Sequence, residues 1–223
     1  MPETSIAVSN FPDPVILIIT LSILGLLPII VVATTSFIKI TVVLSLVRNA
    51  LGVQQIPPNI ALYSLALMIS AFIMAPVLSS GVKTFKANPQ AFDSPSSFID
   101  TLKQGSDPLN SFLTRHSASA EREFLVGASK KLWPEDMQKE IGTGSFFVLV
   151  PAFMMTELTE AFKIGFLLYL PFIVIDLIVS NVLLALGMMM VSPTTISLPL
   201  KLLLFVAVDG WTRLIEGLIL SYA

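Results

Sequence analysis

Apolar residues run almost unbroken from Pro14 to Ile38, between Asp13 and Lys39. At about 1.5 Å per residue, a helix of that length crosses a hydrocarbon core of roughly 30 Å. Pro28 lies inside the run and predicts a kink or a division into two pieces. A second run opens after Pro57-Pro58, at about Asn59, and closes at about Leu78, before Ser79, Ser80 and Gly81. A third extends from Ile141 to Met190, broken by Pro151 and Pro171; its length suits a bent hairpin or two helices meeting near Pro171. A fourth begins after Pro199 and reaches Tyr222. Between the second and third lies a polar segment. It holds two turn-rich stretches, Asn88 to Ser97 and Gln104 to Pro108. It also holds a helical pattern from Ser119 to Trp133, with Phe124, Leu125, Ala128 and Leu132 near one face. A short helix is predicted from Trp133 to Ile141, with Pro134 in its first turn and acids just after it.

Composition sharpens this pattern into a class. Hydrophobic residues make up 54% of the 223, charged residues 13%, and the mean hydropathy is +0.85. A soluble domain carries about 25% charge, so the balance is that of a membrane protein. The net charge of −2 hides a segregation, because eight basic and eight acidic residues fall between Lys83 and Glu140. Near-zero net charge and aromatic residues favour a small folded domain there over a disordered segment. No basic stripe suits nucleic acid. The chain has no cysteine and one histidine, His116, read as an ordinary exposed residue. That composition gives no basis for a disulfide, a thiolate metal site, zinc catalysis or a Ser/His triad, and no metal or cofactor is expected. The first residues carry no lysine or arginine, which argues against a cleaved signal peptide and for a retained first helix.

Charges inside the greasy stretches are the more informative ones. The third stretch carries Glu157, Glu160, Lys163 and Asp176; the fourth carries Asp209, Arg213 and Glu216. Each charge at the centre of a bilayer costs about 2.5 to 3.5 kcal/mol on an insertion scale, so these side chains must face protein or water. Glu160 and Lys163, three apart, and Asp209 and Arg213, four apart, can share a helix face. Glu157, Glu160, Lys163, Asp176, Asp209 and Arg213 are therefore the expected buried or intersubunit ion-pairing groups. Lys39 and Arg48, in the short connection between the first two runs, read as topology determinants. They place that connection in the cytoplasm, the polar segment outside, and the turn from Met188 to Lys201 inside, with Lys201 agreeing. The expected architecture is thus all-α and polytopic, with kinked helical hairpins. Membrane-type helices occupy residues 1–80, a small helical extracytoplasmic insert 81–140, and charged hairpins 141–223. Pro28, Pro151, Pro171 and Gly187 are the expected bends.

Two long segments carry a family resemblance. TSFIKITVVLSLVRNALGVQQIPPN, Thr35 to Asn59, resembles the N-terminal signature of the FliP/SctR family, the core export-gate subunit of type III secretion systems. Pro151 to Trp211, with PAFMMTELTEAFKIGF, PFIVID, GMMM and ISLP in order before KLLLF and DGW, resembles that family's two later blocks. Details of VRNALGVQQIPPN are similar to the virulence injectisome branch. One departure stands in the first of these blocks. Many members read E-L-K-T-A-F where this chain has ELTEAF, so Lys163 becomes the basic residue near Glu160. The resemblance implies an inner-membrane, multi-pass protein with parts in the periplasm. It implies five copies in a helical cone, much of it above the bilayer plane. Its expected companions are a small two-helix export subunit, a larger single-copy one, the switch (autoprotease) export subunit, inner-membrane lipid and the exported polypeptides.

Met188, Met189 and Met190 acquire meaning in that setting. Consecutive helix positions point about 100° apart, so three methionines in a row cannot share one packing face. Gly187 before them and Ser192-Pro193 after them end the helix and start a loop, residues 186–193. The resemblance implies that this loop is a gasket around the exported chain. Methionine suits such a ring, being flexible and polarizable, and an apolar constriction excludes water. The function expected is a pore-forming structural subunit conducting unfolded proteins, with no catalytic residue. Two rivals are an ion-coupled transporter using Glu157, Glu160 and Asp176, and an intramembrane hydrolase. The first wants internal repeat symmetry, which is not evident; the second lacks the usual histidine or cysteine partners.

Overall fold

A computed structural model describes residues 14–53, 55–138 and 141–223; the reading of the N-terminus as unprocessed falls on residues outside these. Helix α1 spans Pro14–Thr34 and α2 spans Phe37–Ala50. Helix α3 spans Asn59–Ala87, and a 3-10 turn at Pro89–Phe92 leads to α4, Pro95–His116. Helices α5, Ser119–Leu132, and α6, Glu135–Gln138, complete the polar segment. Helix α7 then runs for 40 residues, Phe146–Ala185, followed by α8, Pro193–Ala207, and α9, Gly210–Leu220. Three of these, α1, α3 and α7, are long and apolar enough to cross a membrane, and α8 is a shorter apolar helix. The chain is all-α and multi-span.

Several boundaries differ from the sequence reading. The connection between the first two runs is not an open loop but the helix α2. Ile40, Val43, Leu44 and Val47 fall on one face of it, and all are buried. Helix α3 passes through Ser79, Ser80 and Gly81 to Ala87 rather than closing at Leu78. Both serine hydroxyls donate to the Pro76 carbonyl, so they are satisfied within the helix and do not compete for its backbone amides. The stretch from Gln104 to Pro108 is not a turn but lies inside α4. That helix starts on a capping box in which Ser94 and Ser97 exchange hydrogen bonds, with Pro95 at the first position. No hairpin or helix junction forms at Pro171. Pro151 and Pro171 both sit within the continuous α7, and Pro28 within the continuous α1. A proline withdraws one backbone donor and strains one turn, a cost that tertiary packing can offset. The last run divides at Val208 and Asp209 instead of remaining one helix.

The main core is built around α2. Ile40, Val43, Leu44 and Val47 pack with Leu62 and Ala66 of α3, Ala161 and Phe172 of α7, Phe205 of α8, and Leu214 and Leu218 of α9. Each large side chain so buried contributes about 1.5 to 3 kcal/mol. Close approach of α2 and α7 depends on Gly165, where a Cβ would stand 2.2 Å from Leu46 Cδ1 and 3.2 Å from its Cβ. A second, smaller core joins Leu113 of α4 to Leu149 and Phe153 of α7, so the polar segment and the long helix share apolar contacts. Helix α1 is mostly uncovered; Ile16 and Thr34 alone among its residues are buried. At its junction with α2 the Ser36 hydroxyl donates to Ser70 Oγ at 3.1 Å, and Ser70 donates to Thr35 Oγ1 at 3.1 Å.

Candidate functional site

The methionine loop sits at the tip of a hairpin whose arms are α7 and α8. Helix α7 ends on a left-handed Gly187, φ +71. The Gly187 amide donates to Leu184 O at 3.0 Å, and the Met188 amide to Leu183 O at 2.9 Å. These two bonds form a Schellman motif that satisfies the last carbonyls of the helix and turns the chain sharply. Gly187 therefore terminates α7, and the chain turns there at the end of the helix rather than within it. The turn leaves Met188 41% exposed, Met189 81% and Met190 fully exposed. Leu186 beside them is also exposed. Beyond the tip, Ser192 and Thr194 hydroxyls meet at 2.8 Å and Pro193 opens α8.

Charge pairs secure the hairpin and its base. The most buried joins Lys39 of α2 to Glu157 of α7, Nζ to Oε1 at 3.0 Å, with side chains 6% and 1% exposed. Tyr222, just past α9, donates its hydroxyl to Glu157 Oε2, and the Lys39 ammonium lies 4.3 Å from the centre of the Tyr222 ring. The tyrosine ring stacks on Phe112 at 6.0 Å and meets His116 at 5.1 Å, while Phe112 contacts His116 at 4.6 Å and Phe153 at 5.7 Å. Helices α2, α4 and α7 and the chain beyond α9 thus converge on one carboxylate or the ring beside it. Burial, aided by Lys39 and Arg115, holds the His116 imidazole below its ordinary value. Burial and the neighbouring Glu157 push the Tyr222 phenol upward.

A second pair joins Lys201 of α8 to Asp176 of α7, Nζ to Oδ2 at 2.6 Å. The same ammonium donates to Ala50 O at 3.2 Å, at the C-terminus of α2. The third, Lys163 with Glu160 at 2.8 Å, lies on the surface, its side chains 64% and 43% exposed. A pair this open to solvent stabilises little.

These contacts redistribute the residues singled out in the sequence. Glu157, Glu160 and Asp176 each face a lysine, and two of those lysines, Lys39 and Lys201, come from helices read as topology or loop positions. Among the described residues Arg48 reaches no acid; it donates to Pro57 O at 3.2 Å and Asn59 Oδ1 at 2.6 Å, tying the end of α2 to the start of α3. Asp209 and Arg213 make no ion pair among the described residues. Asp209 instead takes the left-handed conformation, φ 53, and its carbonyl accepts the Arg213 amide at 3.1 Å. Gly210 follows because a Cβ there would lie 2.4 Å from the Phe205 ring.

His116 is half-buried between aromatic rings, not freely exposed as the sequence suggested. Its spacing of four from Phe112 is the available signal. Tyr222 has no local mark of a functional role, since its carboxylate partner is 65 residues away. Among the described residues no cluster of three or more histidine, cysteine, aspartate or glutamate side chains could hold a metal ion.

Known proteins resemble this chain over most of its length. The sequence model of the FliP family matches residues 20–218. The Yersinia pestis protein named Yop proteins translocation protein R is 54% identical over 213 residues, 96% of this chain and 98% of that protein. The probable translocation protein y4yL of Sinorhizobium fredii is 50% identical over 199 residues, 89% of this chain and 90% of its own. The Salmonella typhimurium virulence protein YscR is 46% identical over 215 residues, 96% of this chain and 100% of the relative.

Proposed function

The chain belongs to the FliP family, and from that premise we propose that it is a pore-forming subunit of a type III secretion export apparatus, with Met188, Met189 and Met190 as its seal. It is an export-gate-like helical protein of the bacterial inner membrane, with several long apolar helices. In the proposed assembly five copies stand in a ring, joined by the small two-helix subunit and the larger single-copy subunit, and unfolded polypeptide passes along the axis. The switch subunit meets this assembly from the same apparatus. The protein supplies a shaped conduit and no reaction.

The observation that carries this reading is the exposure of the methionine tip. Leu186, Met189 and Met190 are 67%, 81% and 101% exposed at the turn of a well-capped hairpin. Apolar side chains grouped at such a tip favour contact with something outside the chain. Methionine tips from sister copies supply that contact: thioethers adapt to one another at rest and to a varied polypeptide in transit, and a closed apolar ring excludes water and ions. Pairing of Glu157, Glu160 and Asp176 with lysines supports packing roles for these acids over a proton relay. The test replaces all three methionines by alanine in cells carrying the complete apparatus. Ion leak through the assembled complex is expected to rise, and export to change with it. Unchanged leak together with unchanged export refutes the seal.

A further inference from the structure

The hairpin that carries the methionine tip has a polar tie to the rest of the fold near its base, centred on Lys201. Lys201 of α8 is 6% exposed, yet its ammonium has two oxygen partners from two other helices. One is Asp176 Oδ2, on the opposite arm of the same hairpin. The other is Ala50 O, the last residue of α2. The C-terminus of a helix carries unsatisfied carbonyls and partial negative charge, so a cation is well placed there. Gly52, left-handed at φ +77, closes α2 in a tight turn, and a Cβ there would lie 4.0 Å from the ammonium. Helix α2 lies at the centre of the main core, with Ile40, Val43 and Leu44 fully inside. The ammonium therefore links both arms of the hairpin to the rigid centre of the fold.

Beyond this point the arms have little else to hold them. Between Asp176 and the tip, α7 buries Val179 and Leu183; between the tip and Lys201, α8 buries Ser197. Asp176 stands eleven residues before Gly187, a rise of about 16 Å. A tilt of roughly 10° at the base would move the tip by about 3 Å over that lever, comparable to the diameter of a water molecule. Such a displacement is enough to open or close an apolar constriction to ions.

We propose that Asp176 and Lys201 are positioning residues, a clasp that fixes the height and tilt of the methionine loop against the end of α2. The importance of that position rests on reading Met188–Met190 as the seal. The clasp itself does not, and the two are separated experimentally.

The chain has no cysteine, so a single introduced thiol reports on one place. Met189→Cys places it at the tip, and Leu132→Cys, exposed on α5, serves as the control. Reaction of each thiol with a polyethylene-glycol maleimide is timed in the purified complex, with and without the double change Asp176→Asn and Lys201→Gln. Both charges are removed together so that neither is left buried alone. The expected result is a change of threefold or more in the tip rate, with the control rate and particle mass unchanged, and a raised ion leak in membranes. A merely structural contribution would not move the tip alone. A tip rate within a factor of two of the parent, in an intact particle, overturns the clasp. A changed tip rate with unchanged leak upholds the clasp and refutes the seal. Should the double variant fail to assemble, Asp176→Glu, which keeps the charge on a longer arm, is measured in the same assay against the same thresholds.

Discussion

Replacing Lys39 by methionine keeps roughly the length of the side chain but deletes its charge, and leaves Glu157 1% exposed with the Tyr222 hydroxyl as its remaining polar partner. Breaking a buried pair on one side costs about 3 to 5 kcal/mol, because the remaining carboxylate stays out of water without its counter-charge. For a chain of this size about 1 kcal/mol corresponds to roughly 2–4 °C, so the melting temperature should fall by about 6–20 °C. Combining Lys39→Met with Glu157→Gln removes both charges and should recover most of the loss, since an uncharged pair carries no such penalty. Tyr222→Phe, which keeps the ring against Phe112 but loses the hydroxyl, should cost about 1.5 to 3 kcal/mol, the range for a hydrogen bond to a charged group. Circular dichroism of the detergent-solubilised chain on heating gives all of these values under one condition. Were Lys39→Met to melt within about 2 °C of the parent, or the double variant no higher than the single, the buried pair would not be holding α2 to α7.

Two further outcomes follow from the same geometry. The His116 imidazole is held below its ordinary value of about 6.5, so the unfolded chain binds its proton first as pH falls. Its contribution to stability is fully present above about pH 6.5 and is lost as pH falls toward its folded value; His116→Gln should flatten that acid-side loss in melts taken between about pH 7 and 5. The groups facing it are Lys39, Arg115 and the Phe112 and Tyr222 rings. Separately, Gly165→Ala should force α2 and α7 apart against Leu46 and lower stability by about 1–3 kcal/mol, whereas Gly127→Ala, in the interior of α5 with open space around it, should raise it slightly in thermal melts, by about 0.5–1 kcal/mol.

Local pattern made much of this protein legible. The periodic stretch from Ser119 gives α5 to within a residue at its end, and the apolar runs give α1, α3 and α7. Helix α2 is equally present in the pattern, in Ile40, Val43, Leu44 and Val47 at helical spacing, but its two basic residues read more readily as a loop that sets topology. The prolines mislead for a related reason. Their local cost is real, yet α7 passes both of its prolines while packed against α2 and α4. Contacts between distant positions have no local signal at all. Asp176 meets Lys201 across 25 residues and Glu157 meets Tyr222 across 65, and only the fold brings them together. The methionine loop is readable because glycine, serine and proline mark its ends in sequence.

The unbroken length of α7 limits how this protein can sit in lipid. Forty residues rise about 60 Å, against roughly 30 Å of hydrocarbon, so even at a tilt of about 40° a good part of the rod stands clear of the acyl chains. Glu157 and Asp176, nineteen residues apart, are separated by about 28 Å along that axis. If either anchor lay at the midplane, the other would fall well past the boundary of the apolar slab, about 15 Å away. The helix is a ruler with a lysine-bearing mark near each end of one membrane thickness, and at most one mark can be immersed deeply.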